Sequence, residues 1–337
     1  MTTTSTLNKL SVRLGAYRYA TTKPLLDGTI TVPGARETRV STGATLPEVF
    51  KVFAAGDTDV SEFGLTFLLR ALEAGAEYVA VPVFPNRVFR HSCVFVSAAS
   101  GITSPEQLVD RTIGEFGIYG QDSGVWAKGL LMDEYGFRPE ANRWVIGGLE
   151  NPMPPFDFTT HPVPDEVQVK AVPDRSLVDM LAEGDLDALF TANVPWLELD
   201  GDPRIRRLFP DYQERERDWY TRTGIFPMMH TVAVRRALVE RHPDLPRAVY
   251  EAFNAAKQSA VDEVERGRYV YGVTSMLPWT NALYEQDVAL MGRDWWPYGI
   301  AANRHALDTY LRYHHEQGLS ARRWTVEELF AHDLLDT

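Results

Sequence analysis

The stretch FAAGDTDVSEF, residues 53–63, returns in nearly the same form as MLAEGDLDALF, residues 180–190. In both, small and apolar residues lead into Gly-Asp-x-Asp and then an apolar run. Upstream of Gly56, Thr45-Leu46-Pro47-Glu48 carries a capping residue, a proline just inside the start and a glutamate three positions after the cap. Those are the marks of a helix N-terminus. Val49, Phe50, Val52 and Phe53 give that helix an apolar face, and Gly56 supplies the left-handed residue that often ends one. Asp57-Thr58-Asp59 then turns the chain into a short strand, Val60-Ser61-Glu62-Phe63. The second copy predicts the same plan: a helix over Ser176 to Leu181, a stop at Gly184 and a strand over Asp187–Phe190. A helix feeding a strand through a tight Gly-Asp turn is half of a βαβ unit, so the pair predicts an α/β protein with two lobes built alike.

The rest of the chain fits this plan. Residues 77–84, 93–96, 112–114 and 167–172 read as strands, and Ser104-Pro105-Glu106-Gln107 opens a helix with a capping box. A long helix runs from Asp244-Leu245-Pro246 to about Arg266, with Leu245, Val249, Phe253, Ala256, Ala260 and Val264 on one face. The proline-rich stretch 150–166 is a loop. With 337 residues, 45% hydrophobic and 24% charged, the composition is that of a globular protein. A net charge of −12 argues against a nucleic-acid partner, which clustered Lys and Arg would serve. The longest apolar runs fall short of a membrane span. The start, MTTTSTLNKLSVRLGAY, shows no apolar signal region and no cysteine for a lipid anchor, so a cytoplasmic location is expected. The single cysteine, Cys93, reads as a buried strand residue.

Longer strings carry a resemblance. PVFPNRVFRHS (82–92), RTGIFPMMH (222–230) and WPYGIAANRHALDTYLRYHHEQGLS (296–320), with KPLLDG (23–28) and VWAKGLLMDEYG (125–136), resemble the 4,5-dihydroxyphthalate decarboxylase family along essentially the whole chain. The resemblance implies an α/β, two-lobed, type II periplasmic-binding-protein-like fold with a ligand cleft between the lobes. One lobe would take residues 1–95 and 222–337 and the other 96–221. It implies a carboxy-lyase acting on a hydroxylated aromatic carboxylate. Two stretches depart from the family's usual pattern, YRYATTKPL near the start and GIYGQDSGVW with its polar Gln121, Asp122 and Ser123. Both are expected to face the cleft and to bear on which acid is bound.

Such a reaction needs anion-binding groups, a general acid over one ring carbon and help in ionising a neighbouring phenol. Arg87 and Arg90 suit a substrate carboxylate, since a guanidinium presents parallel donors, although surface arginines paired to acidic neighbours are the plainer reading. His91 and His230 are the candidates for proton transfer, against satisfied structural histidines. Glu62, at the carboxyl end of a strand, is placed to orient a histidine, to accept a phenolic proton or to cap the next helix. Tyr119, Ser123, Trp126 and Asn193 are expected at the cleft from the second lobe, and Thr223, Gly224 and Phe226 at the returning crossover. Tyr298 and Arg304 complete the substrate-binding candidates, with core packing the alternative for every aromatic. The adjacent His314-His315 read as a solvated helix face.

No GxGxxG after a strand and no Walker loop signals an organic cofactor. A metal ion held by two histidines and a carboxylate is the lesser alternative, and no metal site is expected. The resemblance implies a small aromatic carboxylate as the partner, no membrane partner is expected, and the oligomeric state is open. Two other functions fit the same scaffold: a solute-binding protein that performs no chemistry, and another cytoplasmic lyase such as those of menaquinone biosynthesis.

Overall fold

The computed structural model describes residues 6–271 and 275–337. Each repeated phrase ends in the central strand of its own sheet. The strands are β1 (Ser11–Gly15), β2 (Glu37–Ser41), β3 (Val60–Gly64), β4 (Tyr78–Val81), β5 (Val94–Ser97), β6 (Thr112–Phe116), β7 (Arg143–Gly147), β8 (Gln168–Ala171), β9 (Ala188–Phe190), β10 (Ile205–Arg207) and β11 (His230–Arg235). The first sheet has the order β2-β1-β3-β11-β4 and the second β10-β5-β9-β6-β7-β8. The two sheets share one device. β3 lies parallel to β1 and antiparallel to β11, while β9 lies parallel to β6 and antiparallel to β5. Thus β5 and β11, which follow the two crossings between the sheets, each pair with a repeated strand.

Both helix stops behave as the glycines require. Gly56 ends the helix Leu46–Ala55 at φ 97°, and Gly184 ends the helix Leu177–Glu183 at φ 84°. The N-termini differ. Ser176 accepts the Asp179 N–H at 3.0 Å, whereas the Thr45 side chain makes no cap bond and Glu48 instead accepts the Ala44 N–H at 2.8 Å. Strand alternation turns Phe63 into an aromatic cluster with Phe50, Phe53, Phe67 and Tyr78, and points Glu62 to the opposite face. Burial of each ring contributes about 2–3 kcal/mol to the fold. In the second lobe Leu177, Leu181, Leu186 and Leu189 form the corresponding core.

The crossings meet at a waist. Segments 82–93 and 224–229 run side by side, Val88 N–H donating to the Pro227 carbonyl at 3.1 Å and Met229 N–H to the Asn86 carbonyl at 3.0 Å. Trp126 reaches in from the second lobe and donates its indole N–H to the Met228 carbonyl at 2.7 Å. The helix Arg304–Glu316 packs on the helix Asp122–Tyr135, tied by Arg312 and Tyr313 to Asp133, each at 2.6 Å.

Three sequence expectations change. The capping box at Ser104 forms, but it heads only a single 3-10 turn, Pro105–Gln107, because Leu108 leaves the helical region to enter the core. The long helix spans Leu245–Tyr269, and Val264 on its apolar face is 44% exposed because the helix outruns the sheet that covers its first half. His314 is fully buried, bonded to the Thr66 hydroxyl and the Ser320 hydroxyl at 3.1 Å each, and only His315 faces solvent. Among the described residues no helix is long and apolar enough to cross a membrane.

Candidate active site

A cavity of ≈ 440 Å³ lies between the lobes, at the carboxyl ends of parallel strands of both sheets. The first lobe supplies Tyr17 and Tyr19 after β1, Phe50 and Phe67 from helices, Asn86 and Arg90 from the crossing, and His230 at the start of β11. The second supplies Gln121, Asp122 and Ser123 after β6, Phe156 from the proline-rich loop and Asn193 after β9. The aromatic rings give a slot suited to a flat ligand, and the polar side chains are few and directed. Both stretches that depart from the family pattern contribute walls.

His230 and Glu62 form a buried pair. The register sets Val232 opposite Glu62, so His230, two residues back, points to the same face one step along the diagonal. Nδ1 of His230 lies 2.7 Å from Oε1 of Glu62. Glu62 is fully buried and also accepts the Tyr19 hydroxyl at 2.9 Å and the Tyr17 N–H at 3.0 Å. A carboxylate only accepts, so Nδ1 carries a proton and Nε2 is the free nitrogen of a ring that lines the cavity. Phe50 packs edge-on against the imidazole at 5.0 Å and holds its plane. Tyr19 stays a phenol: burial and then the Glu62 charge push its ionisation up.

Around this pair lie polar atoms with no hydrogen-bond partner among the described residues. Nε of Arg90, Oδ1 of Asn86, Nε2 of Gln121 and Oγ of Ser123 are buried and unbonded. Arg90 is 3% exposed; among the described residues its guanidinium bonds Cys93 Sγ at 3.5 Å and lies within the field of Glu216, but forms no ion pair. A buried guanidinium with no directly paired carboxylate is costly, and an incoming anion reduces that cost. Gln121 and Ser123 stand at the N-terminus of the helix Asp122–Tyr135, whose first N–H groups favour the same charge.

Other residues expected at the cleft stand elsewhere. His91 is 1% exposed and packs against Phe209 and Trp219; burial pushes its imidazole down to about 4. Arg87 bonds the Phe226 carbonyl at 2.9 Å, the Pro297 carbonyl at 2.8 Å and Asn303, so it fastens the waist, and burial lowers it to about 10. Tyr119 packs on Trp144 beneath the Lys128 ammonium, and Trp126 is consumed by the Met228 carbonyl. Thr223 bonds back to the Trp219 carbonyl, Gly224 caps its helix at φ 67°, and Phe226 stacks on Phe89 at 4.7 Å. Tyr298 is buried beside Lys257, and Arg304 pairs with Glu327 at 2.6 Å on the surface. None of these lines the cavity; His230, Arg90, Ser123 and Asn193 do, with Glu62 directly behind.

Tyr17, Tyr19, Asn86 and Asp122 line the cavity without having been given a role from the sequence. Tyr17, Tyr19 and Asp122 lie in the two stretches that depart from the family pattern and were expected to face the cleft, and Asn86 sits in the string that holds Arg90. The two histidines and carboxylate considered for a metal do not meet, because His91 is remote from the cavity. Among the described residues no group of three or more His, Cys, Asp or Glu is disposed to hold a metal ion.

No family model matches the chain. Sequence relatives do. A 4,5-dihydroxyphthalate decarboxylase from Comamonas testosteroni is 34% identical over 328 residues, covering 96% of this chain and 97% of the relative. A protein of the same name from Pseudomonas putida is 30% identical over 218 residues, 64% of this chain and 83% of the relative. Among solved structures, the periplasmic aliphatic sulphonate binding protein SsuA of Escherichia coli superposes with a TM-score of 0.55 at 14% identity, covering 97% of this chain and 99% of that one. The alkanesulfonate-binding protein SsuA of Xanthomonas axonopodis pv. citri gives 0.57 at 15% identity, covering 95% and 97%. At such identities the structural likeness establishes the two-lobed binding-protein fold and nothing of the ligand.

Proposed function

Because the chain belongs to the 4,5-dihydroxyphthalate decarboxylase family, we propose that this carboxy-lyase acts on 4,5-dihydroxyphthalate or a closely related hydroxylated aromatic acid, by protonating a ring carbon in the cavity between its lobes. The observation that carries the reading is the His230–Glu62 pair facing unpartnered donors across one aromatic slot.

An aryl carboxylate loses carbon dioxide once its ring carbon has accepted a proton, and a hydroxyl para to that carbon supplies the electrons. Nε2 of His230 takes the phenolic proton, and Glu62 stabilises the imidazolium that results and fixes its plane. Arg90, with Ser123 and Gln121, holds a substrate carboxylate by charge-assisted bonds. Phe50, Phe67 and Phe156 cover the ring and exclude water. No step in this scheme calls for an organic cofactor or a metal. We take residues 1–95 with 222–337, and 96–221, as the bodies that close on the substrate.

The test is to incubate the protein with hydroxylated benzoates and phthalates, with and without a chelator, and to follow product by mass. Release of carbon dioxide is expected from phthalates with a hydroxyl para to a carboxylate, chelator or not, and none from phthalate itself. Binding without release from every acid in the panel overturns the reading in favour of a solute-binding protein.

A further inference from the structure

His230 is committed to the phenol and Arg90 to a carboxylate, which leaves the proton for the ring carbon without a donor. We propose that Asp122 is that donor, its Oδ2 delivering the proton to the carbon that bears the departing carboxylate. The inference rests on the decarboxylase reading above and names the acid that reading requires.

Asp122 opens the helix Asp122–Tyr135 just beyond β6, and it lines the cavity while only 3% exposed. Its hydrogen bonds are lopsided. Oδ1 accepts both the Thr66 N–H at 2.8 Å and the Tyr310 hydroxyl at 2.7 Å, while among the described residues no donor bonds Oδ2. A proton on this carboxyl therefore belongs on Oδ2. Gly64 makes the room that Oδ2 occupies, since a Cβ there would collide with Oδ2 and meet the Phe67 ring at 2.5 Å. The charged and titratable groups facing the carboxyl are His230, Arg70 and Tyr310. Burial nonetheless holds it above the usual carboxylate range, against the pull of His230, Thr66, Tyr310 and Arg70. A carboxyl raised this way suits an acid working toward neutral pH.

The step balances. The phenolic hydroxyl gives its proton to Nε2 of His230, and the electron pair left on oxygen is pushed through the ring to the carboxylated carbon. That carbon forms a C–H bond with the Oδ2 proton, leaving Asp122 as a carboxylate. The bond to the carboxylate then breaks, its pair restores the aromatic ring, and carbon dioxide departs. His230 returns its proton to the oxygen. One proton is consumed per turnover, and Asp122 recovers it from water.

Asp122→Asn keeps the Oδ1 acceptor but has no acidic proton. It is expected to lower kcat for carbon dioxide release about 10²- to 10⁴-fold, with unchanged affinity for the 3,4-dihydroxybenzoate product. A second reading runs the reaction backward: with dissolved carbon dioxide present, microscopic reversibility requires the wild-type chain to exchange the product's new ring hydrogen with D2O, and Asp122→Asn should not. Retained release or retained exchange in Asp122→Asn overturns the assignment. Should that variant fail to fold, Tyr310→Phe decides. Loss of its bond raises the acid further, so the alkaline limb of the rate–pH profile moves to higher pH, and an unmoved limb overturns the assignment. A wild-type chain inert toward every acid in the panel sinks the decarboxylase reading itself, whereas an active wild type with an active Asp122→Asn sinks this inference alone.

Discussion

Nδ1 of His230, on β11, meets Oε1 of Glu62, on β3, at 2.7 Å, across neighbouring antiparallel strands that the whole second sheet separates in sequence. Glu62 acts through the imidazole: it selects the tautomer that leaves Nε2 free, and Tyr17 and Tyr19 hold it in place. Glu62→Gln is expected to lower kcat about 10²-fold while KM stays near the wild-type value. Steady-state carbon dioxide release measures both, and an unchanged kcat would remove Glu62 from the mechanism.

Arg90 should act on binding. Its buried guanidinium, with Nε unbonded, loses a charge-assisted interaction with the substrate when replaced, so Arg90→Lys is expected to raise KM about 10- to 100-fold. Lysine keeps the charge but not the planar fork. Titration of the product into the variant checks the same loss without turnover, and wild-type affinity there would refute the assignment.

The second lobe holds a fully buried ion pair, Lys128 Nζ to Glu115 Oε2 at 2.6 Å, with the ammonium over the rings of Tyr119 and Trp144. Lys128→Met strands the Glu115 carboxylate and should cost about 3–5 kcal/mol. Adding Glu115→Gln removes the stranded charge, keeps an acceptor for the Gly120 N–H and should restore most of the loss. Urea denaturation of both variants tests this; equal stabilities would show that the charge is not what the single variant exposes.

Stability should fall in mild acid. Burial pushes His91 from its ordinary 6.5 down to about 4, so the folded chain keeps the ring neutral where the unfolded chain protonates it. Unfolding then takes up a proton between those two values. The contribution is complete above pH 6.5, shrinks as pH falls through the window and levels off below about 4. It amounts to about 3 kcal/mol at most. His314, also lowered by burial, acts in the same direction. His91→Phe should flatten the dependence of the urea midpoint on pH, and an unaltered slope would place the effect elsewhere.

Much of the scaffold could be read directly from local signals. The two Gly-Asp turns forced helix ends at Gly56 and Gly184 and led to the central strands β3 and β9, because a left-handed residue and a short apolar run are decided within a few positions. The resemblance to known decarboxylases was equally legible, since it lies in long unusual strings. Roles within those strings were not. Arg87 and Arg90 are three residues apart in one loop, yet one clamps the waist through Asn303 and two carbonyls while the other lines the cavity with its Nε unbonded. His91 and His230 look equivalent in sequence, but one is walled in by Phe209 and Trp219 and the other is aimed by Glu62.

The chain by itself determined what short-range chemistry determines: where helices stop, which strands alternate, that two halves share one plan, and to which family the strings belong. The tertiary structure alone decided which polar side chains lack partners. A hydrogen bond such as that of Asp122 to Tyr310, or of Arg87 to Asn303, joins residues close to two hundred or more positions apart. Its presence or absence depends on how the lobes and the waist are packed, and no local pattern encodes that.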